Sequence, residues 1–148
     1  MEKQQIIAQL QQCDSTVLSF PDRGPWGDNR YRGNCSGWVQ ASLIWKYNVK
    51  KLAELFAGGG TGSDVAHDMG IQYIGADLNP NPKRNNILVC NAILDEVPDE
   101  FRDADMIFIH PYHRFILGFC LLNHLHKKQC HKRAGNTCRY ALPPRWPY

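Results

Sequence analysis

The spacing of apolar positions divides the first 110 residues into alternating helical and extended segments. Residues 2 to 12, in "MEKQQIIAQLQQCDS", read as a polar amphipathic helix, and residues 13 to 36 as a long loop rich in Gly, Pro, Asp, Arg and Asn. "GWVQASLIWKY", residues 37 to 47, places apolar side chains at helical spacing behind Ser36, a suitable N-cap. "KLAELFA" reads as a strand, "GGGTG" as a turn, and "SDVAHDMG" as a short helix ended by Gly70. "IQYIGADLN", "NILVCNA" and "ADMIFI" are three further strands. Strands alternating with helices predict an α/β protein with a doubly wound, mostly parallel sheet of Rossmann-like type, whose ligand site lies at the carboxyl ends of the strands.

Composition changes this picture little until the C-terminal third. A chain of 148 residues, 43% hydrophobic and 21% charged, suits one domain with a real core. No run approaches the roughly 18 apolar residues of a membrane span, and the N-terminal helix lacks the apolar stretch of a signal peptide. The expectation is a cytoplasmic protein with no membrane partner, whose six cysteines are mostly thiols. Charge is unevenly placed: residues 1 to 105 hold all 14 acidic residues and ten Lys or Arg, a net of minus four. Residues 106 to 148 carry seven Lys or Arg and no acidic residue.

The stretch with most chemistry is "AELFAGGGTGSDVA", residues 53 to 66, a strand running into glycines that open a helix. Glycines there allow a ligand to approach the backbone, and the helix start offers free N–H groups. The dinucleotide pattern G-x-G-x-x-G fails, because Ser63 stands three after Gly60. Asp77, ending the second strand, is placed to accept from ribose hydroxyls, and Glu54 adds a polar handle at the first strand. Without Asp77 the glycines would read as an ordinary tight turn.

In their order, "ELFAGGGT", "GADLN" and "DMIFIHPY" resemble the motifs of S-adenosylmethionine-dependent DNA methyltransferases that modify exocyclic amino groups, and "PDRGPWGDNRYRGNCSG" is similar to the adenine-specific branch. The resemblance covers about residues 18 to 115. It implies that Phe56, Ala57, Gly58, Gly59 and Gly60 wrap the methionine part of S-adenosyl-L-methionine, that Asp77 with Leu78 holds the ribose, and that Asn91 meets the adenine edge. Asn34 and Ser36, in "RGNCSGW", would approach the methionine carboxylate. The fourth motif of the family reads D-P-P-Y or a variant, and here it is His110, Pro111 and Tyr112. An amino nitrogen on a base is a poor nucleophile because its lone pair is delocalised. Acceptors such as His110, through an unprotonated ring nitrogen, and the carbonyl beside the proline would hold its hydrogens so that the lone pair faces the methyl group, while Tyr112 stacks on a flipped base. DNA is therefore the expected partner. The alternatives are methylation of RNA or of a protein glutamine, or an inactive fragment that binds cofactor or nucleic acid only.

"HPY" has one proline where the family has two, which shortens the loop and moves Tyr112 relative to His110. Beyond it the alternation of helix and strand stops. We expect a methyltransferase-like domain over residues 1 to 115 and an atypical basic tail over 116 to 148, left by a frameshift or truncation that makes the fold incomplete at its C-terminal strands. The tail concentrates Cys and His, from His124, His126, Cys130 and His131 to Cys138, but at spacings that match no strong zinc pattern, so no metal is expected. Lys127, Lys128, Lys132 and Arg133 would suit phosphates if the tail is a basic arm. Arg23, Arg30 and Arg32 either contact phosphate or brace Asp22 and Asp28, and Trp26, Trp38 and Trp45 read as packing residues, although Trp26 sits in an Arg-rich loop that would suit nucleic acid.

Overall fold

A computed structural model describes residues 1–12, 17–31, 33–92 and 94–111. All of them fall in one compact unit, Met1–Tyr112; a second unit, His113–Tyr148, lies outside the described residues, as do Cys13, Arg32 and Tyr112. The elements run α1 (Lys3–Leu10), α2 (Gly37–Lys46), β1 (Lys51–Leu55), α3 (Thr61–Met69), β2 (Gln72–Asp77), β3 (Ile87–Val89), a 3-10 turn (Asp99–Phe101) and β4 (Met106–Ile109). The helices and strands lie where the hydrophobic pattern predicts them, within a few residues, and the 3-10 turn has no counterpart in that pattern.

The differences at the ends have local causes. β1 stops at Leu55 rather than running through residue 57, because Phe56 turns to φ +64°. α3 begins at Thr61, with Gly60 as a left-handed N-cap, and it ends at Gly70, also left-handed, as expected. Ser36 occupies the N-cap position of α2, but its hydroxyl makes no cap bond and donates instead to the Arg23 carbonyl at 3.4 Å.

The four strands form one parallel sheet in the order β3-β2-β1-β4. The chain winds outward from β1 to β3 and then returns to the other side of β1, so the direction of winding reverses between β1 and β4. In an open parallel sheet this reversal opens a crevice beyond the carboxyl ends of the two strands.

One face of the sheet carries the main core. Ile6 and Leu10 of α1, Trp38, Ala41 and Ile44 of α2, and Val65 and Met69 of α3 pack with Leu52, and Tyr73, Met106 and Phe108 complete the layer from the strands. Trp26 joins this core at 4% exposure, edge-on to Trp38 at 4.9 Å. It is a packing residue, held by its indole N–H to Asp68 Oδ2 at 2.9 Å. Trp45 is instead 39% exposed. The opposite face is covered by less: Ala53, Ala76 and Cys90 meet Phe101 of the 3-10 turn, with Leu55, Ile74 and Ala104 around them. A parallel sheet with helices is thus as predicted, but among the described residues all three helices lie on one face. The second helical layer of a doubly wound sheet is not among them, and Ile107 and Ile109 of β4 remain more than half exposed. No helix among the described residues is long and apolar enough to cross a membrane.

Candidate functional site

The sheet register gathers the sequence candidates along one edge. Leu55 is level with Ala76 of β2 and with Ile109 of β4. The next residue of each strand is Phe56, Asp77 and His110, so the glycine turn, the acidic strand end and the His-Pro step leave the sheet in one row at its carboxyl edge. Asn91 is brought alongside, since Cys90 donates its backbone N–H to the Asp77 carbonyl at 2.9 Å.

Asp77 organises this edge. Its Oδ2 accepts the Gly58 N–H at 2.7 Å and its Oδ1 the Asn79 N–H at 2.9 Å, so the carboxylate ties the end of β2 to the turn after β1. Phe56 enters that turn in a left-handed conformation that a bulky side chain rarely adopts, and such strained residues concentrate at ligand clamps. Ala57 then donates to the Ala76 carbonyl at 3.0 Å, which fixes the turn against β2. Leu78, directly after Asp77, is 58% exposed and offers an apolar surface at the rim.

Residues 24 to 34 lie across the glycines. Asp28 N–H donates to the Gly59 carbonyl at 3.2 Å and Gly27 N–H to Asp64 Oδ2 at 2.9 Å. Asn34 accepts the Thr61 hydroxyl at 2.6 Å and donates to the Asp28 carbonyl at 2.9 Å, so it reaches the start of α3. Ser36 stays with Arg23. A Cβ on Gly58, at φ +52°, would stand 2.8 Å from the Tyr31 ring, and one on Gly59 would stand 3.1 Å from Tyr31 Cβ. Close approach to these glycines is therefore used by the chain's own Tyr31, a contact with no signal in the sequence. At the Asp77 and Leu78 end the edge offers a carboxylate acceptor and an exposed apolar side chain, a set that would suit a ribose. At the Gly58 and Gly59 end a ligand would need the loop carrying Tyr31 to move.

Two cations from the β2–β3 connection hold this loop and α3. Lys83 donates to Asp28 Oδ2 at 2.8 Å, which keeps the Asp28 carboxyl well below the usual range. Arg84 forks onto Asp64, Nε to Oδ1 at 2.7 Å and Nη2 to Oδ2 at 2.8 Å. Burial pushes the Asp64 carboxyl up, but the Arg84 and Gly27 bonds outweigh it and the net shift is downward.

Glu54 is not the open handle expected of it. Strand alternation puts it on the same face as Leu52, beneath α3, where it is 4% exposed. Tyr73 Oη and Gln40 Nε2 each donate to it at 2.6 Å, and Gly62 presses on it so closely that no Cβ would fit there. Burial pushes its carboxyl up to about 7 despite these two bonds. Tyr73 and Gln40 are its unforeseen partners.

At the β4 end, His110 is exposed and its ring lies 6.5 Å from Phe108, 19° from parallel. Pro111 is half-buried, and Tyr112 lies outside the described residues. The Cys and His residues of the tail lie outside them as well. Cys35 and Cys90 are free thiols, both pushed up by burial. No protein-family model, curated protein or solved structure matches this chain at a significant level.

Proposed function

We propose that the chain binds S-adenosylmethionine at the carboxyl edge of β1 and β2 and acts on an exocyclic amino group of a DNA base, adenine by resemblance. The observation that carries this reading is the row formed by the glycine turn, Asp77 and His110 beside the point where the sheet reverses its winding. Phe56, Ala57, Gly58, Gly59 and Gly60 hold the methionine part, with Asn34 and Ser36 toward its carboxylate. Asp77 accepts from the ribose, Leu78 flanks it, and Asn91 meets the adenine edge. The bound cofactor supplies an electrophilic methyl group on a sulfonium centre.

His110 and the carbonyl beside Pro111 accept the hydrogens of the target amino group, which orients its lone pair, and Tyr112 stacks on the base. With one proline between His110 and Tyr112, these two contacts cannot both hold their family spacing, so rate suffers more than binding. Cofactor binding without transfer is the second reading, and the single proline between His110 and Tyr112 favours it.

Calorimetry with S-adenosylmethionine and transfer of labelled methyl groups to duplex DNA test both readings. Weak binding with slow or undetectable transfer is expected, and transfer rises when a second proline follows Pro111 in a chain joined to a related C-terminal half. A folded chain that binds no cofactor refutes the proposal. Robust transfer by the unaltered chain refutes the damaged-motif reasoning.

A further inference from the structure

We propose that the groove between residues 23–30 and the Lys83–Arg84 pair is a seat for the phosphate backbone of DNA. The groove is open to solvent, about 720 Å³ in volume, and its lining includes Arg23, Arg30, Lys83 and Arg84, with Asp28 as its single acidic residue. Four of the ten cations in residues 1 to 105, a segment of net negative charge, are thus collected in one place.

Their bonds leave positive charge over. Arg84 is matched by Asp64. Arg30 and Lys83 share one carboxylate, Asp28, at 3.4 and 2.8 Å, so one of the two is uncompensated. Among the described residues Arg23 meets no carboxylate: its Nη2 donates to the Cys35 carbonyl at 3.3 Å, and its Nε is buried without an acceptor. Asp22, next in sequence, is turned to the Gly24 N–H and the Trp38 indole and does not line the groove. The Arg30 and Lys83 side chains are 86% and 50% exposed, within reach of a surface ligand, and exposed ion pairs such as theirs exchange readily.

The rest of the unit points to a polyanion that must arrive in one orientation. Residues 95 to 105 hold six carboxylates, Asp95, Glu96, Asp99, Glu100, Asp103 and Asp105, and only two of them are paired with a cation among the described residues, Asp99 with Arg102 and Asp103 with Lys51. They belong to the connection whose Phe101 packs on the opposite face of the sheet from Trp26. A charge distribution so divided repels phosphates from one face and steers them to the other. The groove adjoins the glycine turn through Asp28 and Gly59, so DNA seated there lies beside the proposed methyl-transfer site.

The inference rests on the proposed action on DNA, and the following experiment separates the two. The binding of a short labelled duplex to the full chain is followed by fluorescence anisotropy across a range of salt concentrations. Arg30→Ala and Lys83→Ala are each expected to reduce the slope of log affinity against log salt by about 1, and together by about 2, because each removes one phosphate contact. Arg102→Ala, on the acidic face, leaves the slope unchanged. Arg30 is exposed enough that its variant tests the charge without testing the fold, and circular dichroism checks Lys83→Ala. Unchanged slopes in the double variant overturn the proposal. So does an equal fall with Arg102→Ala, or an acidic polypeptide that displaces the duplex from the wild type and not from the double variant at lower charge concentration than DNA itself. A groove-dependent slope in a chain that binds no S-adenosylmethionine upholds this inference and sinks the methyl-transfer reading, and cofactor binding with no such slope does the reverse.

Discussion

Neutralising Glu54 with Glu54→Gln changes how stability depends on pH. Its carboxyl is 4% exposed and is raised from 4.5 to about 7, chiefly by burial. The folded state therefore holds the Glu54 proton more tightly than the unfolded chain does. The stability this contributes is full below about pH 4.5, declines as pH rises, and is gone above about 7. A shift of this size corresponds to about 3 kcal/mol. Gln at this position carries no charge, and its amide can donate to Gln40 Oε1, a buried oxygen without a partner, if the Gln40 amide turns over. Urea denaturation measured at intervals from about pH 4.5 to 8 should show the wild type losing about 3 kcal/mol relative to the variant, so that the variant is the more stable chain at the alkaline end. The carboxylates of Asp64 and Asp68 are shifted downward and act at lower pH, outside this window. Parallel stability curves for wild type and variant would refute the buried, proton-binding Glu54. Glu54→Leu differs again, because it leaves the Tyr73 hydroxyl and the Gln40 amide without an acceptor and should lower stability across the range.

Asp77→Ala removes the acceptor of the Gly58 and Asn79 N–H groups and of the proposed ribose, and should weaken S-adenosylmethionine binding by about 1 to 3 kcal/mol. Calorimetry reads this, and equal affinity in a folded variant would refute the ribose assignment. Gly58→Ala places a methyl group 2.8 Å from the Tyr31 ring in a left-handed conformation, and the clash, though not the backbone strain, is relieved in a Tyr31→Ala background. A double-mutant cycle in denaturant should give a coupling of about 0.5 to 3 kcal/mol, and strict additivity would show that Tyr31 does not lie on the glycines in solution.

What the sequence disclosed was what neighbours along the chain decide. The helical spacing of "GWVQASLIWKY", the apolar run of "KLAEL" and the placing of Gly70 each gave an element of the right type, because periodicity and backbone freedom are local properties. The burial of Glu54 was also available: in "LAEL" it alternates in step with Leu52, and a residue in step with a core leucine shares its face. The meaning of Asp77 was only half visible. Its place at a strand end could be read, but its bond to Gly58 depends on β1 and β2 being neighbours. The same holds for Tyr31 on Gly58, Asn34 on Thr61, Lys83 on Asp28 and Arg84 on Asp64. These partners lie between 20 and 55 residues apart, and polar residues of such common types carry no mark of whom they will meet.

These long-range bonds also tie the two proposed ligands together. Asp77 uses one lone pair on each oxygen for a backbone N–H, and a carboxylate oxygen has a second, so holding the Gly58 turn does not exhaust its capacity to accept from a ribose. Asp28 is engaged differently, since its backbone N–H rests on the Gly59 carbonyl while its carboxylate is shared by Lys83 and Arg30. A phosphate that drew Lys83 and Arg30 into the groove would take from Asp28 the cations that hold it down, and the loop carrying Tyr31 would lose part of its anchorage over the same turn that Asp77 fixes from below. Tyr31 would then be freer to leave Gly58 and Gly59 when the groove is filled than when it is empty. Since coupling between two binding equilibria is reciprocal, a cofactor that displaces Tyr31 would in turn raise the affinity of the groove for DNA.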